Sequence, residues 1–591
     1  MSVQLVFLQL CCFSDTNIKH IKHYFNTKVS QFSQIHNIMQ VKFQISLLFT
    51  LISGFLSAQN VPNDWYYGNP GDEYMGISLN KAHNEWLKDK KSRTVVVAVI
   101  DSGIDIEHED LKANIWINPG EIPGNGIDDD KNGYIDDVFG WNFIGGPDGR
   151  NVGPDTYEAV RVYAALKYKY ENAVPSKLNK TQKKEYDTYI RAKTTVEKEI
   201  EKAKMSLSQL KNVENRVMSA LDALNQKLGG GEIDMQKLEA LETNGTPDIN
   251  MAKNIVAQYI SASDMKTIDA IKENIREEIM QDGKRHQDKL DYSYNPDFDT
   301  RATIVKDNYN DPYERIYGNN DVTGPDATHG THVAGIIGAV RNNGFGMDGV
   351  ADNVRLMSVR AVPDGDERDK DVANAIRYAV DNGATVINMS FGKGFSPQKK
   401  VVDEAVEYAA KKDVLLIHAA GNDGKNTDIE ENYPTAQLDK KSGFFCKKPK
   451  VAKNWIEVGA LSYRDGEDMV ATFSNYGKTK VDIFAPGVRI YSTMPGSEYA
   501  PLQGTSMAAP VVAGVAAVIR SYYPALTAEQ VKEAIMKSVT PVTTEVKLPG
   551  SKSEKKKFSD LSVSGGIVNL YQALQVASTM KGKKKIKEPK A

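Results

Sequence analysis

Three short segments carry residue types that can do chemistry. Asp101-Ser102-Gly103 follows the β-branched run Thr94–Ile100. A carboxylate at the carboxyl end of a parallel strand sits where α/β sheets place their ligands, although D-S-G also caps helices and forms turns. His329-Gly330-Thr331-His332 opens a stretch of small and apolar residues that reads as a helix start. Its two imidazoles could share one helix face, but no Glu follows His329 and no third ligand follows at metallopeptidase spacing, which argues against zinc. Gly504-Thr505-Ser506-Met507-Ala508-Ala509-Pro510 surrounds a serine with small residues at the start of a second apolar helix. The helix dipole favours negative charge near Ser506, while an ordinary helix cap is the plainer use of such a serine. Carboxylate, imidazole and hydroxyl are together the groups of nucleophilic acyl transfer.

The chain order Asp, His, Ser and the strand and helix contexts of the motifs closely resemble the subtilisin-like serine peptidases. The resemblance covers Val95–Leu111 and roughly Asp321–Leu570. It implies a role for each residue. Ser506 attacks the scissile carbonyl, His329 is the general base, and Asp101 holds the imidazole tautomer and stabilises the imidazolium. His332 packs locally. The resemblance also assigns Asn422, in Ala419-Ala420-Gly421-Asn422, as an oxyanion-hole donor beside the backbone N–H of Ser506. Loss of such a donor costs ~10²–10³ in rate, a range taken from this family itself. Ser390-Phe391-Gly392 corresponds to the segment that borders the primary specificity pocket and pairs with extended substrate backbone. The implied partners are polypeptide substrates. A catalytically inactive scaffold that displays a helical arm is the alternative, and it has no need of all four residues.

The stretch Ile127–Asp137 places Asp128, Asp130 and Asn132 at alternate positions, then Gly133, Tyr134, Asp136 and Asp137. Alternate oxygen side chains with a glycine in sixth place are how a loop wraps calcium. The Glu of a complete EF-hand is missing, since Phe139 stands in twelfth place. The loop is similar to an Asp-rich calcium loop of some members of the family, and it predicts a structural calcium ion and no organic cofactor. Tyr134 could contribute its carbonyl. A weaker second site, Asp110 with Asn343, rests on the same resemblance.

The elements that must position these residues are legible as an alternation. Thr94–Ile100, Ala384–Met389 and Val414–Ala420 read as strands buried on both faces. Asp371–Asp381 and Gln398–Lys412 read as amphipathic helices between them. An α/β fold follows, with a mostly parallel sheet; the resemblance makes it a subtilisin-like three-layer fold carrying a long helical insertion. That insertion, residues 151–301, is rich in Lys, Glu, Gln and Ala. Val196, Ile200, Ala203, Leu207 and Leu210, then Val217, Leu221, Leu224 and Leu228, form a heptad-like, coiled-coil-like stripe broken at Glu214. A further helix is expected over Met265–Met280. The insertion is read as internal packing first, and as a docking arm for a protein partner second. The peptidase domain is expected over 59–150 and 302–578, with a solvated basic tail over 579–591. Lys555-Lys556-Lys557 reads as an exposed loop.

Of 591 residues, 41% are apolar and 26% charged, which is ordinary for a globular protein. A net charge of −3 offers no basic field for nucleic acid. Lys42, the apolar run Phe43–Leu56 and the small residues Ser57-Ala58 read as a secretory signal within residues 1–58, with Met39 as the expected start. The run rises about 21 Å as a helix, short of a ~30 Å bilayer core, so no stable membrane span is expected. The protein is expected to be exported, to a periplasm or beyond the cell. Cleavage after Ala58 would leave Cys446 as its one thiol and no intrachain disulfide.

Overall fold

The computed structural model describes residues 61–243, 245–263, 265–442 and 448–584. The expected signal segment, Cys446 and the end of the basic tail lie outside them. Strands are labelled β1 (Val95–Asp101), β2 (Gly140–Asn142), β3 (Val354–Arg360), β4 (Val386–Met389), β5 (Leu415–Ala419), β6 (Trp455–Leu461), β7 (Ile483–Pro486), β8 (Thr540–Pro541) and β9 (Gly566–Ile567). Among the described residues these nine form one sheet in the order β8-β9-β7-β6-β5-β4-β1-β3-β2. Every pairing is parallel except that of β8 with β9, at the edge.

The helices used below are α1 (Glu158–Tyr170), α2 (Lys180–Leu228), α3 (Pro247–Ala262), α4 (Ile268–Asp288), α5 (Thr328–Gly338), α6 (Asp369–Asp381), α7 (Lys399–Lys411) and α8 (Thr505–Tyr522). Successive side chains of β1 point to opposite faces of the sheet. Val97 and Val99 join a core with Val333 and Ile337 of α5 and Val511 and Val515 of α8. Ala98 and Ile100 join another with Val372 and Ile376 of α6 and Val402 and Val406 of α7. The sheet is therefore the middle of three layers, and its strands are apolar throughout because both faces are covered. Helix α8 is long and apolar enough to cross a bilayer, but 89% of it is buried inside the protein.

The chain falls into two units, Met205–Lys284 in one and Val61–Lys204 with the residues from Arg285 onward in the other. The sheet belongs to the second. The expected insertion is thus divided. Its opening helices pack within the sheet-bearing unit, where Ala159, Val160 and Val162 of α1 and Ala192 and Val196 of α2 share a core with Phe395. The other unit has its own core, in which Leu210, Val217 and Leu224 of α2 meet Ile255 of α3 and Ile271 and Ile275 of α4. Glu214 does not interrupt the stripe of α2, because Val213 supplies the inward side chain there and is 6% exposed. Lys555–Lys557 is exposed as expected, but it is a strand paired with Glu545–Lys547 rather than a loop.

Candidate active site

β1 ends at Asp101, and its neighbour β4 ends one residue before Ser390. Their register, Ile100 opposite Met389, sets the Asp101 and Ser390 strand ends side by side. Helix α5 carries His329 in its first turn. Two glycines let that turn close on the end of β1. A Cβ on Gly330 would lie 2.0 Å from the Gly103 carbonyl oxygen, and one on Gly103, at φ +125°, would lie 2.2 Å from that of Thr323. With hydrogens there instead, His329 Nδ1 donates to Asp101 Oδ1 at 2.6 Å. The same oxygen accepts the Ser102 N–H at 2.8 Å, and Asp101 is 2% exposed. A carboxylate partner fixes the tautomer with its proton on Nδ1, which leaves the Nε2 lone pair free. Burial alone would lower the His329 pKa, but the charge and hydrogen bond of Asp101 outweigh it and the net shift is upward. His332 is fully buried, its Nε2 lies 3.0 Å from the Ala500 carbonyl, and burial lowers its pKa to about 4. It stays neutral and structural, as expected.

Ser506 is the second residue of α8. Pro510 lies four residues on and has no N–H to give the Ser506 carbonyl. That carbonyl accepts the Ser390 hydroxyl instead, at 2.9 Å, and Asn388 Nδ2 donates to the same hydroxyl at 2.9 Å. The Ser506 hydroxyl donates to the Ser390 carbonyl at 3.1 Å rather than to the imidazole. Nucleophile and β4 end are thus bonded twice.

Asn422 follows β5. Its Oδ1 accepts the Thr505 N–H at 2.8 Å and the Thr505 hydroxyl at 3.0 Å. A backbone donor can only meet an oxygen, so Nδ2 is the free end of the amide. Beside Gly504, the position a Cβ would occupy lies 3.5 Å from Asn422 Nδ2, 3.5 Å from the Ser506 backbone nitrogen and 3.7 Å from Ser506 Cβ. Two N–H donors and the serine thus face one small volume, and the glycine keeps that volume clear.

A profile of the Subtilase family matches residues 92–563. The chain belongs to the subtilase family. It is 40% identical over 233 residues to the Thermophilic serine proteinase of Bacillus sp. (strain AK1), covering 39% of this chain and 50% of that one. It is 35% identical over 280 residues to Thermitase of Thermoactinomyces vulgaris, covering 46% and 86%. Subtilisin E of Bacillus subtilis (strain 168) matches at 37% over 217 residues, covering 36% and 51%. The chain therefore spans about half the length of the first and third of these relatives and most of the second.

In this subtilase the segment after β4 runs from buried Ser390 through half-buried Phe391 to exposed Gly392. Lys393 then pairs with Tyr433 in an antiparallel bridge. Asn475 shapes the Asn422 loop from outside, donating to the Ala420 carbonyl at 2.8 Å and accepting the Lys425 N–H at 2.8 Å. Thr505 lies in the quoted serine motif without an assigned role, and Asn388 and Asn475 had no distinguishing signal, since the roles of all three come from neighbours far along the chain.

The acidic loop folds around Asp128 and Asp130. Their carboxylates and that of Glu121 bring one oxygen each within 4.8 Å of one another. Glu121 was not expected. It is 7% exposed, its Oε1 accepts the N–H groups of Asp129 and Asp130, and its buried Oε2 has no hydrogen-bond partner. An unpartnered buried carboxylate oxygen beside two further carboxylates fits a hard cation. The remaining candidates divide. Asn132 Nδ2 donates to Asp130 and Asp137, each at 3.1 Å. Asp137 is buried, bonded also to Asn118 and Tyr378, and burial raises its pKa to about 6. Asp136 turns away and accepts the Gly124 N–H at 2.9 Å. The Tyr134 hydroxyl donates to the Arg315 carbonyl at 3.1 Å. At the weaker site, Asp110 and Asn343 do meet: Asp110 accepts the Asn343 amide at 2.7 Å and the Met347 N–H at 3.0 Å.

Proposed function

We propose that this chain is an exported serine endopeptidase that cleaves polypeptides through an acyl-enzyme. The observation that carries the reading is the convergence of Asn422 Nδ2 and the Ser506 N–H on one volume beside Ser506. Donors held at that place stabilise the oxyanion that forms when a hydroxyl adds to a carbonyl. In the reaction the Ser506 hydroxyl turns from the Ser390 carbonyl to His329 Nε2. His329 takes its proton as the oxygen attacks, and then returns it to the departing amine. Asp101 keeps Nδ1 protonated and offsets the imidazolium charge. A water molecule activated by the same imidazole releases the acyl group and restores Ser506. The exposed strand end after Ser390 supports binding of extended substrate, and the leader over residues 1–58 supports export.

Glu121, Asp128 and Asp130 would hold a calcium ion, with Asn132 and the Tyr134 backbone carbonyl as further candidate ligands. Bound there, the ion neutralises the carboxylates and ties the loop together. The test of the peptidase reading is cleavage of a casein or peptide substrate by wild type and by Ser506→Ala. Wild type cleaves, Ser506→Ala loses essentially all activity, and Asn422→Ala retains it at a kcat lower by ~10²–10³. Undiminished cleavage by Ser506→Ala would refute the reading.

A further inference from the structure

A cavity of about 610 Å³ is lined by residues that adjoin the site in the chain. On one side it is lined by Gly392, two residues after the Ser390 that holds Ser506, and on the other by Asp423, next to Asn422. Because Gly392 and Asp423 adjoin the site in this way, a substrate whose carbonyl oxygen lay between Asn422 and the Ser506 N–H would have the side chain of that same residue close to this cavity. The far wall is made by chain lying between Asp101 and His329: Tyr157 and Ala159 at the start of α1, Thr195 of α2, and Tyr294. Part of the insertion thus closes the cavity at its end.

The charge of the wall is not balanced. Asp366 lines the cavity. Its Oδ2 accepts the Glu158 N–H at 2.8 Å, and its other oxygen takes no hydrogen bond from the described residues. Around it stand Asp155, Glu158, Glu367 and Asp369, all buried, against Arg161, Arg368 and Lys393. Burial raises the pKa of Glu367 to about 8, which leaves it uncharged at neutral pH, and that of Asp366 to about 6, so Asp366 still carries its charge there. That leaves four charged carboxylates to three cations, and each cation already has a partner. Arg161 bonds Glu158 at 2.9 Å, Arg368 bonds Asp155 at 3.0 Å, and Lys393 bonds Glu158 at 2.7 Å and Asp369 at 2.8 Å. Among the described residues neither Asp366 nor Glu367 has a cation of its own, and Glu367 Oε1 is buried without a partner. A cation brought by a ligand would favour the charged form of Asp366 that burial disfavours. Arg191 and Lys425, which also line the cavity, do not serve: the Arg191 guanidinium lies over the Phe395 ring, 4.1 Å from the centroid, and is open to solvent, and Lys425 Nζ lies 3.6 Å from Asp423 and 3.5 Å from Glu430. Aromatic walls from Tyr157, Tyr294 and Phe395 suit the apolar stem of a long basic side chain.

We propose that this cavity is a specificity pocket for a basic side chain, arginine or lysine, on the residue that supplies the scissile carbonyl, and that Asp366 selects it. The proposal rests on the serine-peptidase reading above. It is tested with fluorogenic peptides that differ only in Arg, Lys, Phe or Glu at that residue, assayed with wild type and Asp366→Asn. The variant keeps an acceptor oxygen for the Glu158 N–H, and fluorophosphonate labelling of Ser506 reports that it is folded. Wild type is expected to favour Arg or Lys over Phe in kcat/KM, and Asp366→Asn to lower the Arg-to-Phe ratio by roughly tenfold or more. Benzamidine, a planar cation, is expected to slow labelling of wild-type Ser506, whereas neutral benzamide does not, which tests the pocket without any variant. Preference for Phe or Glu, an unchanged ratio in a labelled Asp366→Asn, or equal effects of benzamidine and benzamide would overturn the pocket while leaving the peptidase reading intact. Failure of wild type both to label and to cleave would overturn the peptidase reading itself.

Discussion

Pro510 matters to Ser506 through what it lacks. Without an N–H at that place, the Ser506 carbonyl turns to the Ser390 hydroxyl, and the nucleophile is tied to the end of β4 rather than only to its own helix. The two glycines Gly103 and Gly330 act in the same way for the base, since the imidazole reaches Asp101 only where side chains are absent. The resulting pair has a consequence for pH. A general base works when neutral, and Asp101 favours the protonated imidazole, so the net pKa of His329 lies above its ordinary 6.5. The acid limb of kcat/KM, which reports the free enzyme, is therefore expected to have its midpoint above pH 6.5. A midpoint at or below 6.5 would show that burial of the imidazole outweighs the charge and hydrogen bond of Asp101. At this scale the site was largely legible. Asp101, His329, Ser506 and Asn422 each sit in a compact motif whose neighbours are fixed by close backbone packing. Glu121 was not legible, because it precedes its loop without the alternate spacing of Asp128, Asp130 and Asn132. Nor was Asp366, whose role depends on which cations its neighbours have already engaged.

The elements that hold these residues are of two kinds. Those of the sheet and its covering helices follow from apolar pattern alone, and the expected Gln398–Lys412 and Val414–Ala420 differ from α7 and β5 by one residue at each end. The start of α1 is different, because it is fixed by charge. Glu158, its first residue, is 1% exposed and pairs with both Arg161 and Lys393. Burial would raise its pKa, but those two cations outweigh it and bring the value down to about 2. Its contribution to stability is therefore present above the ordinary 4.5 of a free Glu and lost as pH falls toward about 2. Removing one partner of such a buried cluster leaves uncompensated charge. Glu158→Gln is expected to lower unfolding stability by about 3–5 kcal/mol at neutral pH, measured by denaturant unfolding. A loss below about 1 kcal/mol would mean that α1 is held by its apolar side alone. No sequence period reports a cluster of this kind, since Glu158, Glu367 and Lys393 come from three distant segments.

For the whole molecule, the separation of Asp101 and His329 by 228 positions is the feature that most needs support. The loop that holds Glu121, Asp128 and Asp130 lies in that interval, ahead of the insertion. A cation at those carboxylates would tie the outgoing chain to itself. An ion that binds only the folded state stabilises it by about 2.7 kcal/mol at a hundredfold excess over Kd. Calcium is therefore expected to raise the unfolding temperature, the chelator EGTA to reverse the rise, and Glu121→Gln with Asp128→Asn to abolish it. An unfolding temperature indifferent to calcium in wild type would remove the cation from the account. The insertion's division into two units was hidden in the sequence, because the expected stripe runs unbroken from Val196 to Leu210, across the division at Lys204, while the two parts of α2 enter different cores.

The most direct measurement for the account as a whole is the site of reaction with a fluorophosphonate, read by mass spectrometry of the labelled protein. Ser506 is predicted to carry the label, with labelling lost in His329→Ala and in unfolded protein. Label spread over other serines, or none on Ser506 in a folded and soluble protein, would contradict the claim that Asp101, His329, Asn422 and Ser506 make one hydrolytic site.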